Sequence, residues 1–400
     1  MKYPLASNSW DDREIEAINS VIQSDMYTMG SKVKKFEDEF AFEIGSKHAV
    51  MVNSGSSANL LMLTALSLKE NLGCGDYNII VPAVGWSTTY FPVHQIGGRL
   101  NFVDVSLSTL NIDPEKVIKA INSETKAILA VNLLGNPADL IRLRAIADAH
   151  DLILIEDNCE SFGATLDSVW TGTYGKMGTF SFFFSHHLQT MEGGMIVTDD
   201  DDLNDILRSI RAHGWVRDMS DNNKWYQKTD DPFKEPYTFA LPGYSVRPLE
   251  MSGAIGSVQL LKWKSNVAQR RNNANEFLAL FQPENWCQTQ EQLPGALSSW
   301  YGFSLLINNR DELVKHLMSL GVQLRPIMSG NMLNQPVMKY FNNPIIPKEG
   351  CPVADTVDDN GFFIGNHPCN VRYDLKELHN IIDGYISIET EFAGLGIVGA

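Results

Sequence analysis

The chain has 400 residues, 44% of them hydrophobic and 20% charged, and a formal net charge of −16. These proportions suit a globular enzyme with one large and one smaller domain, and the acidic balance argues against nucleic acid as a partner and leaves an anionic substrate dependent on local basic groups. The opening MKYPLASNSWDD has no apolar core of a signal peptide and no run reaches transmembrane length, while Cys74, Cys159, Cys287, Cys351 and Cys369 show neither zinc nor redox spacing and read as reduced thiols of a cytoplasmic protein.

In chain order, Ile15, Ile18, Val21 and Ile22 predict a helix over Asp12 to Ser24, with Ser9 or Asp11 as its N-cap. A second helix starts at Ser31, buries Val33, Phe36, Phe40 and Ile44 on one side, and stops at Gly45. Strands are then expected at His48 to Val52, Asn78 to Val81, Asn101 to Val105, Ala127 to Asn132 and Leu152 to Glu156, each separated by a helical stretch. Short β-branched runs alternating with helices predict an α/β fold with a largely parallel sheet covered on both faces. Two more strands, Phe180 to Phe184 and Met195 to Thr198, flank the turn SHHLQTMEGG. Residues 218–236 are polar and loop-like, a length that suggests a functional cover. Beyond Pro248 the chain predicts a long helix over Glu250 to Leu280, continuous or broken, a strand over Tyr301 to Ile307 and a helix over Asp311 to Leu320. The division is therefore 1–248 for the large domain and 249–400 for a smaller α+β domain. The Gly-rich stretch Glu391 to Ala400 fits neither pattern.

Several residues have types suited to chemistry. Ser54, Gly55, Ser56 and Ser57 lie between a strand and a helix, where backbone amides and hydroxyls suit a phosphate and equally suit an N-cap with a tight turn. Asp157 closes the run LILIED, so its carboxylate either points into the crevice at the strand's C-terminal end or caps the next helix; Glu160 comes three residues later. Trp86 comes after the strand IIVP. His186 and His187 stand together between Ser181 and the run Glu192-Gly193-Gly194. No Cys/His/Asp set near them has zinc spacing, so no metal is expected.

Ser181, the five-residue step to His186, and Glu192-Gly193-Gly194 resemble the active-site segment of the DegT/DnrJ/EryC1/StrS sugar aminotransferases, enzymes of the aspartate-aminotransferase fold (fold type I) that use pyridoxal phosphate. The likeness runs from YPLASNSWDD through MVNSGSSANLLM, IIVPAVGWSTTY, EDNCES and RAHGW to LPGYSVRPLEMSGAIG. It implies a cofactor phosphate on Gly55, Ser56 and Ser181, Asp157 against the pyridine nitrogen with Glu160 beside it, and Trp86 against the ring. The segment Gly243 to Pro248 matches Gly-Tyr-Asn-x-Arg, which in the family reaches the neighbouring subunit's cofactor phosphate; here Ser245 replaces the asparagine. A homodimer with shared active sites is the implied assembly. Arg247, His213, Arg217 and Arg325, with Arg211, are the cations expected to hold a nucleotide diphosphate.

The family places a lysine where this chain has His186. An imidazole cannot keep the covalent bond to an aldehyde cofactor that a lysine amine keeps, but it can move a proton near neutral pH. The substitution resembles the members that remove the C3 hydroxyl of a nucleotide 4-keto-6-deoxy sugar. That likeness implies non-covalent pyridoxal or pyridoxamine phosphate, GDP-4-keto-6-deoxy-D-mannose as substrate, L-glutamate as amino donor, release of ammonia, and a place on the route to GDP-colitose in O-antigen synthesis. His186, with an ordinary imidazole pKa of about 6.5, is then the acid and base at cofactor C4′. A related CDP-sugar dehydratase carries the same histidine with an iron–sulfur cluster, which needs converging cysteines that this sequence scatters. A sugar 4-aminotransferase and a non-catalytic cofactor-binding homologue are the alternatives.

Overall fold

The computed structural model describes residues 1–73, 75 and 77–394, the last six without their side chains; Cys74 and the end of the Gly-rich tail, 395–400, lie outside the described residues. Helices α1 (Asp12–Gln23) and α2 (Ser31–Ile44) open the chain. Asp11, not Ser9, caps α1: it accepts from the Arg13 amide while Glu14 accepts from the Asp11 amide, a reciprocal capping box. Gly45 ends α2 in the left-handed conformation at φ 75°.

Seven strands form the main sheet: β1 (His48–Val52), β2 (Asn78–Pro82), β3 (Arg99–Val103), β4 (Thr125–Val131), β5 (Ile153–Asp157), β8 (Gly178–Ser181) and β9 (Gly194–Thr198), in the order β1-β9-β8-β5-β4-β2-β3. Only β9 runs antiparallel to its neighbours. Strands β2 and β9 are buried along their whole length, because helices cover both faces: α3 (Gly55–Lys69), α4 (Ser87–Gln95), α5 (Pro114–Ala120), α6 (Leu140–Ala149) and α7 (Asp201–Arg211). Phe180 to Phe184 is not one strand. The ladder with β9 ends at Ser181 opposite Gly194, and Phe183 and Phe184 turn outward, 43% and 44% exposed.

Helix α8 (Glu250–Phe281) is unbroken over 32 residues and packs along α1 and α2. A four-stranded antiparallel sheet comes next, β10 (Gln288–Thr289), β12 (Gly302–Leu306), β14 (Gly361–Gly365) and β13 (Leu324–Arg325), with α9 (Arg310–Ser319), α10 (Pro352–Asn360) and α11 (Arg372–Gly394). Its core gathers Phe277, Phe281, Phe303, Ile364 and Leu375, and also Tyr3, whose hydroxyl donates to the Gly365 carbonyl at 2.8 Å. A small ribbon, β6 (Thr165–Leu166) with β7 (Val169–Trp170) and β11 (Ala296–Leu297), ties the two halves together. Among the described residues no helix is long and apolar enough to cross a membrane.

Candidate active site

A cavity of about 260 Å³ opens at the C-terminal ends of the parallel strands, where loops and helix starts leave room that the sheet itself does not. Gly55, Ser56, Trp86, Asp157, Glu160, Ser181, His186 and Arg325 all line it. Three chain segments converge at its floor. A Cβ on Gly55 would stand 2.6 Å from the Ser181 Cβ and 2.9 Å from the Cys159 Sγ, so the start of α3 can lie against β8 and the end of β5 only as glycine.

At that floor the capping and phosphate readings of Ser54 to Ser57 are both physically available. The Ser54 side chain accepts from the Ser57 amide at 3.1 Å and caps α3. The Gly55 and Ser56 amides are left without a protein acceptor among the described residues, at the positive end of a 15-residue helix. The Ser181 side chain lines the same space, and the Ser56 hydroxyl is 2.8 Å from that of Thr88. These are donors fitted to a phosphate.

Asp157 is 5% exposed and has no cationic partner among the described residues. Its Oδ2 accepts from Asn59 Nδ2 at 2.8 Å and Thr89 Oγ1 at 2.7 Å; its Oδ1 accepts from the Cys159 amide at 3.2 Å. No helix comes directly after β5, so Asp157 caps none. Its carboxylate keeps acceptor capacity on Oδ1, which fits a protonated ring nitrogen. Glu160 accepts from the Leu134 amide at 2.9 Å. Burial pushes its carboxyl up to about 8, with the Leu134 amide pulling down and the Asp157 charge adding to the rise. Burial also raises the Cys159 thiol, which makes it an inert wall.

No lysine lines the cavity among the described residues. His186 stands in its wall, half-buried, its imidazole stacked on Tyr301 with ring centroids 5.1 Å apart and planes at 28°. Burial holds the imidazole down to about 4, below the 6.5 expected of a free one, with the Arg270 charge pushing the same way. The ring is therefore neutral at pH 7 and able to accept a proton. His187 points elsewhere: it is 3% exposed, and its Nε2 lies 3.2 Å from the Ser299 carbonyl.

Ser245, Arg247, His213, Arg217 and Arg211 do not line this chain's cavity. Ser245 bridges Ala212 and Phe239 bridges Trp215, which makes an antiparallel ribbon separate from it. On that ribbon Trp215 collects two guanidinium groups, the Arg217 carbon at 3.6 Å from its ring centroid and Arg247 at 5.5 Å, and meets the His213 ring edge-on at 4.6 Å. Arg211 is buried against Glu37 at 2.5 Å and the Met51 carbonyl at 2.8 Å, so it holds α2 rather than a ligand. The 218–236 loop lies outside the wall of its own chain's cavity. Sequence reasoning missed Asn59, Thr89, Ser185 and Tyr301. Asn59, a buried polar residue one turn into a helix rich in Leu and Ala, carried a readable signal; Tyr301 carried none.

A model of the DegT/DnrJ/EryC1/StrS aminotransferase family matches residues 8–383. A GDP-4-keto-6-deoxy-D-mannose 3-dehydratase from Yersinia pseudotuberculosis is 49% identical over 391 residues, covering 96% of this chain and 98% of that one. A crystal structure of GDP-4-keto-6-deoxymannose-3-dehydratase, a histidine-to-asparagine mutant with bound GDP-perosamine, superposes with a TM-score of 0.91 at 49% identity over 95% of this chain and 100% of that chain. Another, of the same dehydratase with a trapped PLP-glutamate geminal diamine, has the same TM-score, identity and coverage.

Proposed function

The chain belongs to the DegT/DnrJ/EryC1/StrS aminotransferase family, and from that premise we propose that it uses pyridoxal and pyridoxamine phosphate to convert GDP-4-keto-6-deoxy-D-mannose into GDP-4-keto-3,6-dideoxy-D-mannose. It is a lyase of the dehydratase class on the aminotransferase fold. The observation that carries this reading is the imidazole of His186 in a cavity wall that has no lysine among the described residues. When bound, the cofactor would supply an amine for the sugar's 4-keto carbon and a ring that takes up the electron pair freed when the C4′ proton is removed, the pair that then flows toward the sugar and leaves with the C3 hydroxyl. Glutamate restores the amine, and the nitrogen leaves the sugar as ammonia.

The chain's own residues do the rest. Gly55, Ser56 and Ser181 hold the phosphate, Asp157 the ring nitrogen, and Trp86 and Glu160 the ring's surroundings. His186 takes and returns the proton at C4′. Lacking an amine, it forms no lasting bond to the cofactor, and so the amino group can leave with the product. Arg325, at the cavity, is the cation of this chain placed to meet the sugar nucleotide. The large unit, 1–248, supplies the cofactor side and the smaller unit, 249–400, the opposite wall through Tyr301 and Arg325.

Incubation with GDP-4-keto-6-deoxy-D-mannose and glutamate, without added reductant or iron, should give a sugar one oxygen poorer, with equal amounts of 2-oxoglutarate and ammonia by mass spectrometry and enzymatic assay. A sugar that retains nitrogen would instead identify an aminotransferase.

Assembly is part of the same reading. Ser245, Arg247, His213 and Arg217 do not line their own chain's cavity, and Phe239 and Leu249 near them are 57% and 60% exposed. Such a cationic and apolar face suits a second copy, whose cavity these residues complete. Light scattering at assay concentration should return twice the chain mass; a fully active monomer would rule out the shared site. A nucleotide-sugar substrate supports a cytoplasmic location for the reaction, which fractionation of the source cells tests.

A further inference from the structure

His186 has an orientation problem that its hydrogen bonds do not solve. Catalytic imidazoles are commonly aimed by a bond to the second ring nitrogen. Here Nδ1 is enclosed and has no hydrogen-bond partner. Beside the Cys159 backbone, ring packing is what aims the imidazole. Tyr301 lies almost parallel to the imidazole, and Phe183 meets it edge-on at 6.3 Å and 72°.

Tyr301 is itself held firmly. Its hydroxyl is 2.8 Å from the Ser185 Oγ, on the residue that precedes His186. Its amide donates to the Leu134 carbonyl at 2.8 Å, and the Ser299 amide donates to the Gly135 carbonyl at 2.8 Å. Both facing turns contain a bulky left-handed residue, Leu134 at φ 55° and Trp300 at φ 51°. Such backbone persists only where its surroundings over-determine it. Gly135 sits at φ 87°, and a Cβ there would come 2.5 Å from the Trp300 nitrogen. Two loops more than 150 residues apart in sequence are thus clamped so that Tyr301 arrives at the cavity in one pose.

We propose that Tyr301 is a positioning residue for His186: its ring sets the direction in which the imidazole meets the reacting atoms, and its hydroxyl, through Ser185, fixes the register of the histidine loop. This rests on His186 being the base. The other groups bearing on the imidazole are Arg270 from α8, the neighbouring His187 and the Cys159 backbone after β5, with Glu160 and Arg325 in the cavity wall.

The test uses the holoenzyme with labelled histidine, the His186 signal being assigned by its loss in His186→Asn. Tyr301→Leu should move the His186 titration up toward the ordinary range and remove its ring-current shift. It should lower kcat at least tenfold and up to about 10²-fold, with KM changed much less. Tyr301→Phe should retain the ring-current shift on His186 but lower kcat, by less than Tyr301→Leu does, and Ser185→Ala should match it because both break the one hydroxyl contact. In a His186→Asn background, Tyr301→Leu should cause no further loss. Tyr301→Met, which fills similar space without an aromatic ring, carries the same expectation if the leucine variant folds poorly. An unchanged His186 signal in both ring-less variants, or an equal further loss in the His186→Asn background, overturns the proposal. The NMR signal does not depend on which sugar is turned over, so it decides the placement even if the dehydratase assay fails.

Discussion

His186→Asn should cut turnover by at least about 10²–10⁴-fold, the range that one general acid–base group contributes. Asparagine has a similar reach and keeps the cavity filled, but its amide neither accepts nor returns a proton at neutral pH. Cofactor binding should survive, because the proposed phosphate and ring-nitrogen partners lie on α3, β8 and β5. Both half-reactions should slow together, since glutamate deamination and sugar dehydration each need a proton moved at C4′. Single-turnover absorbance measurements with each substrate separate them. The wild-type pH profile carries a sign. A base must be unprotonated to act, and burial holds this one near 4, so the acid limb of kcat/KM should fall below 6.5 and toward 4. His187→Asn should cost less, because that ring is buried against the Ser299 carbonyl and lines no part of the cavity. Near-normal dehydration by His186→Asn would sink the assignment and leave His187 as the next base to examine.

Asp157→Asn should weaken cofactor binding by about 2–5 kcal/mol, roughly 30- to 4,000-fold, the range for losing one partner of a buried charged hydrogen bond. The site allows the asparagine one orientation. Oδ2 receives two donors, Asn59 Nδ2 and Thr89 Oγ1, so the new carbonyl oxygen must take its place. The new NH₂ then occupies the position of Oδ1, where it meets the Cys159 amide, a donor against a donor, and would meet a protonated ring nitrogen the same way. Spectroscopic titration with pyridoxal phosphate measures the loss, and circular dichroism checks the fold. Binding within threefold of wild type would remove Asp157 from the cofactor's nitrogen.

The sequence alone determined the elements whose signal is local. Short β-branched runs placed the main-sheet strands, period-3.6 patterns placed α1 and α2, and Gly45 marked a helix end, while the choice between Ser9 and Asp11 as the first cap waited for the structure. The family resemblance brought Gly55, Ser56, Asp157, Ser181 and His186 together in prospect; Gly55 opens a helix and Asp157 and Ser181 close strands at the same edge of the parallel sheet, while His186 stands in the turn after β8. The tertiary structure decided what depends on distant chain. Tyr301 reaches Ser185 across 116 residues, and no periodicity encodes that meeting. The imidazole's fall to about 4 comes from enclosure and from Arg270 on a helix of the chain's second half, neither of which a motif contains. Arg211 reads like its neighbour Arg217 in RAHGWVR, yet one is sealed against Glu37 and the other rests on Trp215. Charge is written in the sequence; its surroundings, which set whether it binds a ligand or a helix, are made only by the fold.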